Sequence, residues 1–108
     1  MAKKDTITTV DLEGLALVDE TESRQFVVQV NGHRARMEYD RSGDRIFLTG
    51  SEVPKALEAH GVGPALIEKV LTWTEANRLK LVPMCPSVKS FLRRNTAWQR
   101  LLVKGVQI

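Results

Sequence analysis

The sequence predicts an α+β (mixed α/β) domain, an antiparallel β-meander followed by helix, strand and helix, with the helices packed on a central mixed sheet. Three observations lead there. Apolar and polar residues alternate from Phe26 to Thr49, interrupted by turn residues. From Gly61 the apolar period lengthens to that of a helix. A short apolar run, Leu79–Val82, then returns behind that helix.

In chain order, residues 1–14 read as a polar tail and 15–108 as a single domain, the length of one folding unit. Leu15–Val18 reads as a short strand and Asp19–Ser23 as a turn. Phe26, Val28 and Val30 face one way on the next strand. Asn31-Gly32 supplies a two-residue hairpin, because both central positions of a type I′ turn need positive φ. Ala35, Met37 and Tyr39 continue the apolar face, with Arg34, Arg36, Glu38 and Asp40 opposite. Asp40–Asp44 is a second turn and Arg45–Thr49 the third strand of the meander. Val53-Pro54 ends that strand and leads into a turn or short helix. Val62, Leu66, Val70 and Trp73 form one stripe of a helix ending near Asn77. Leu79–Val82 suits a buried strand parallel to the third strand, since a helix is the usual crossover. Ser87–Arg94 reads as a second helix with Ser87 as N-cap. Trp98 and Leu101–Val103 form a last apolar segment. The pattern leaves room for an extra strand at each end.

Composition narrows the function. The single cysteine, Cys85, excludes an intrachain disulfide. With no apolar leader at the N-terminus, a lone thiol favours a reducing cytoplasm. No run of about 18 apolar residues would cross a membrane. The net charge of +3 is mild, and the basic residues are spread out apart from Arg93-Arg94, so nothing calls for nucleic acid. His33, His60 and Cys85 lack metal-ligand spacing, so no metal is expected. His33 and His60 read as solvated, and Trp73 and Trp98 as core residues.

The segment Glu58-Ala59-His60-Gly61-Val62-Gly63-Pro64-Ala65 opens the long helix. Glycines there let unpaired amides face outward, and the helix dipole adds partial positive charge. The bland alternative is a plain turn. It is neither a dinucleotide fingerprint nor a P-loop, because the remaining residues of both motifs are missing.

A meander, a glycine turn, a helix and a strand in this order resemble the Gcn-related N-acetyltransferase (GNAT) superfamily, whose phosphate motif is Gln/Arg-x-x-Gly-x-Gly/Ala. Gly61 and Gly63 match it, and Glu58 stands where Gln or Arg is usual. Glu52-Val53-Pro54, Val82-Pro83-Met84-Cys85-Pro86 and Arg94-Asn95-Thr96-Ala97-Trp98 together resemble the short YjdJ-type acetyltransferases of that superfamily. The resemblance spans roughly residues 15–103. It implies acetyl-CoA as cosubstrate, with the backbone of Gly61, Val62, Gly63, Pro64 and Ala65 around its pyrophosphate. Ser51 and Val53 would pair with the pantetheine arm as an added strand does. Asn95 and Arg93 or Arg94 would reach the cofactor. The Val53 amide would polarise the thioester carbonyl, and Glu52 or Glu58 would serve as base, unless both are plain surface carboxylates. Cys85 would either carry the acetyl group or sit as a small buried hydrophobe. Two departures stand out. Gly50-Ser51 occupies the place of a His-Thr pair, and Thr96 that of a proline.

The expected function is therefore N-acetyl transfer from acetyl-CoA to an amine of a small molecule or protein. The short chain leaves the acceptor side open for a bulky acceptor or for the second subunit of a homodimer. A coenzyme A-binding module without turnover, and an interaction domain without cofactor, are the alternatives.

Overall fold

The alternation from Phe26 onward becomes a meander of antiparallel strands in a computed structural model that describes residues 10–108. β1 (Val18–Glu20) pairs with β2 (Gln25–Val30), β2 with β3 (His33–Ser42), and β3 with β4 (Arg45–Glu52). Asn31 and Gly32 take φ values of 50° and 82°, as the hairpin demands. The other turns are narrower than the sequence suggested. Asp19 and Glu20 find strand partners in Phe26 and Gln25 and so belong to β1. β3 runs on to Ser42 because Arg41 and Ser42 stay paired with Ile46 and Arg45.

A one-turn helix α1 (Lys55–Glu58) leads into α2 (Val62–Ala76), which is capped at Asn77. β5 (Lys80–Pro83) then lies parallel to β4, as the crossover required, and the sheet order is β1-β2-β3-β4-β5. α3 spans Pro86–Arg94, and a 3-10 helix spans Thr96–Leu101. The extra strand allowed for at the C-terminal end is only a bridge between Leu102 and Leu81. Of the expected tail, residues 1–9 lie outside the described residues, while Val10 and Leu12 pack against the core.

The core lies against one face of the sheet. Phe26, Val28, Ala35, Met37, Ile46 and Leu48 supply the strand side, and Leu57, Val62, Leu66, Val70, Leu71, Val88 and Leu92 the helix side. Each of these side chains other than Ala35 contributes about 1.5–3 kcal/mol by leaving water. Trp73 sets its edge on Phe26 at 4.9 Å. The opposite sheet face is charged. There Arg34 pairs with Glu20, Arg36 with Glu52, and Arg24 with Asp40.

Tyr39 ties the edge of the sheet to its centre. Its ring stacks at 4.7 Å from Phe26, and its hydroxyl donates to Asp19 Oδ1 at 2.6 Å. Burial, and then the Asp19 carboxylate, push the phenol up to about 12. The folded state thus holds this proton more tightly than the unfolded chain, whose phenol titrates near ~10. The contribution is whole below that pH and is lost as pH rises through about 12. Tyr39→Phe should cost about 1–3 kcal/mol in urea melts at neutral pH. The difference from the parent should shrink at strongly alkaline pH.

Candidate active site

The site begins where two strands part. β4 and β5 are paired only from Arg45–Lys80 to Leu48–Pro83. Pro83 has no amide with which to extend the ladder. The amides of Met84 and Cys85 both turn back to the Leu48 carbonyl, at 2.9 and 3.0 Å. A bulge shifts the β3–β4 register between Glu38 and Tyr39, so Glu38 faces Gly50 while Tyr39 faces Leu48. Beyond that point β4 continues to Glu52 without β5 beside it.

A cavity of about 470 Å³ fills the gap on the core side. Met37, Ser51 and Val53 form its strand wall, Glu58, Gly63, Pro64, Leu66 and Ile67 its α1–α2 wall, and Ser87, Ser90 and Arg94 its α3 wall. The last three recur at helical spacing and so share one face of α3. The volume lies within the range of small-molecule sites.

The first turn of α2 brings Gly63 and Pro64 to the wall of this cavity. Gly61 is the N-cap, with φ 77°, a conformation natural to glycine. Its own amide is bonded to the Glu58 carbonyl, and that of Ala65 to the Gly61 carbonyl. Pro64 has none. Val62 and Gly63 therefore carry the amides that the helix leaves unpaired. A Cβ on Gly63 would meet only Val53 Cγ2, at an ordinary 3.8 Å. Nothing in the packing requires a glycine there. Its absent side chain keeps the cavity wall open beside free amides. Glu58 adds a negative charge to that wall, and Arg94 a positive one to the α3 wall.

At the other end, three side chains cluster. Cys85 Sγ lies 3.0 Å from Ser87 Oγ and 3.4 Å from Ser51 Oγ, and the two hydroxyls are 3.0 Å apart. Cys85 is only 4% exposed, behind the two serines that line the cavity. Burial pushes its thiol up, but hydrogen bonds from Ser51 and Ser87, and the backbone amides of Ser87 and Val88, more than offset this and leave it below the ordinary value. Cys85, not Ser87, is the N-cap of α3, because Pro86 takes the first helical position.

The remaining candidates divide. Val53 and Glu58 line the cavity. Glu52 points away, bound by Arg36 at 2.8 Å on the charged face. Arg93 lines neither cavity; its neighbour Arg94 does. Asn95 caps α3, its amide donating to the Phe91 carbonyl at 2.9 Å, and lines a second, shallower groove of about 680 Å³. That groove lies between Leu12–Leu17, α2 and Trp98, whose ring carries the Arg100 guanidinium at 4.9 Å. His60 and His33 are half-buried, and His33 Nε2 is sealed without a partner among the described residues. Among the described residues no three potential ligands converge on a metal position, and no helix is long and apolar enough to cross a membrane.

A meander, a bulged fourth strand, a free-amide helix start and a parted fifth strand define a GNAT-like acyltransferase architecture. The profile of a family described as GCN5-related N-acetyl-transferase matches residues 25–101, and the chain belongs to that family. No curated protein matches the chain. The family generally uses acetyl-CoA.

The Cys85 thiolate should form, in a titration of its ultraviolet absorbance, at a lower pH than the thiol of the unfolded chain. Ser51→Ala and Ser87→Ala should each move that midpoint upward, Ser51→Ala by at least as much.

Proposed function

We propose that the protein is an N-acetyltransferase that moves acetyl from acetyl-CoA to an amine of a small molecule or a protein. The observation that carries this reading is one cavity with unpaired helix amides at one end and a parted strand edge at the other. Val62 and Gly63 would donate to the coenzyme pyrophosphate, with Arg94 beside them. The free edge of β4 at Ser51 and Val53 would take the pantetheine arm. Its far end then lies at the gap beside Leu48 and Cys85, where the thioester would sit.

The Val53 amide would stabilise the oxyanion that develops as an amine attacks. Cys85, with its lowered thiol, suits either a covalent acetyl carrier or a donor that returns a proton to the departing sulfur. The buried position beneath Ser51 and Ser87 favours the second role, because a nucleophile must reach the carbonyl. Glu52, held by Arg36, is poorly placed as base. That fact favours, as the second reading, a module that holds coenzyme A without turnover. The charged sheet face leaves the acceptor side open, which suits a protein acceptor or a second subunit in the cytoplasm.

Calorimetric titration with acetyl-CoA tests the site. Saturable binding is expected. Gly63→Asp should weaken it at least tenfold, because a carboxylate would face the pyrophosphate. The fold should keep its stability, since the added Cβ finds room and acidic residues suit a helix start. Glu58→Gln, which removes a negative charge from the same wall, should tighten binding by roughly two- to fivefold. A folded parent protein that binds no acetyl-CoA would leave only an interaction domain.

A further inference from the structure

We propose that Glu38 is the group that receives the acceptor amine and takes its proton, an inference that rests on the acetyltransferase reading above. It starts from Gly50. That glycine has no positive φ to justify it, and outside its chain neighbours a Cβ there would meet one atom only, Glu38 Oε1 at 3.2 Å. The missing side chain makes room for the Glu38 carboxylate and nothing else. Glu38 and Gly50 are direct partners across β3 and β4, next to the pair Met37 and Ser51. Met37 and Ser51 face the core-side cavity. Strand alternation therefore sets Glu38 and Gly50 on the charged face, at the same level of the gap.

A group in the gap between β4 and β5 is reachable from both faces of the sheet. The cavity serves the core side. On the charged side, Glu38 leans over the bulged backbone one residue before Ser51. Its carboxylate accepts no hydrogen bond among the described residues, and its ion partner Arg36 lies at 3.8 Å. That guanidinium is committed more closely to Glu52, at 2.8 Å. Glu52 is thus neutralised where it stands, and Glu38 keeps its lone pairs for an incoming cation. An amine arrives at neutral pH as an ammonium, which a carboxylate attracts and which cannot attack until it loses a proton.

Glu38 takes one proton from the acceptor ammonium. The freed lone pair on nitrogen forms the N–C bond at the thioester carbonyl. The C–S bond breaks with its electron pair on sulfur, and the second proton shed by the nitrogen goes to that sulfur. Glu38 then releases its proton to solvent. The products are an amide and free coenzyme A.

The test compares wild type, Glu38→Gln and Gly50→Ala with acetyl-CoA and two nucleophile types. One is a primary alkylamine set, n-butylamine, cadaverine and a lysine-containing peptide, all cationic at neutral pH. The other is O-methylhydroxylamine, which is uncharged there. Glu38→Gln should lower kcat/KM for the alkylamine that works best by roughly 100-fold, with calorimetric affinity for acetyl-CoA unchanged. The loss with O-methylhydroxylamine should be within about threefold, because no proton has to be removed before attack. Gly50→Ala, whose Cβ makes the carboxylate give by a few tenths of an ångström, should lower kcat/KM for the same alkylamine by a smaller factor than Glu38→Gln and leave O-methylhydroxylamine within about threefold. Glu38→Gln turning over alkylamines within twofold of wild type overturns the role of Glu38 alone. Wild type that binds acetyl-CoA but acetylates no nucleophile overturns the transferase reading, and this inference with it.

Discussion

One carbonyl organises the site. Leu48 O accepts the amides of both Met84 and Cys85, and so pins the end of β5 to the middle of β4. Up to that pivot the two strands share a ladder. Past it, Pro83 and Pro86 deny β5 and α3 the amides that would prolong pairing, and the chain swings into a helix. β4 goes on alone with an unpaired edge. In a folded protein such an edge normally finds a partner. Here it borders a cavity, where in the proposed reading a ligand with amide groups of its own would be the partner.

The same pivot fixes the chemistry at each end of the cavity. It holds Cys85 at the start of α3, where Ser51 from β4 and Ser87 from α3 reach one sulfur. It also sets the α3 face of Ser87, Ser90 and Arg94 opposite the first turn of α2. In the proposed reading the free amides of α2 and Arg94 of the α3 wall would draw an anion, and Glu58 of the α1–α2 wall would moderate that pull. The charged sheet face serves a different purpose. Its ion pairs are exposed and individually contribute little to stability. Their arrangement, with Arg36 nearer Glu52 than Glu38, matters more for which carboxylate stays available.

Much of the fold was legible because local signals and tertiary demands agree. Asn31-Gly32, the stripe Val62–Val70 and the parallel return at Leu79–Val82 all appear where their residue patterns place them. The N-cap of α3 lies two residues before Ser87, and the signal for it is present in the sequence. Pro86 prefers the first helical position, which makes the preceding Cys85 the cap. Arg94 rather than Arg93 reaches the cavity, since only position 94 shares a helix face with Ser87 and Ser90. The bulge in β4 left no mark in the sequence, because an extra strand residue needs no special side chain. Without the bulge, the meeting of Glu38 with Gly50 was also invisible, since it depends on register across two strands. The pairing of Glu52 with Arg36 was hidden for the same reason.

The central claim is that the parted strand edge and the first turn of α2 form one coenzyme site. The most direct measurement is backbone amide NMR of the isotope-labelled domain during addition of acetyl-CoA. The account predicts the largest shifts at Val62 and Gly63, with a second group at Ser51 and Val53 and little change at Thr72 or Trp98. Shifts centred on the second groove, around Leu15, Thr72 and Trp98, would contradict it.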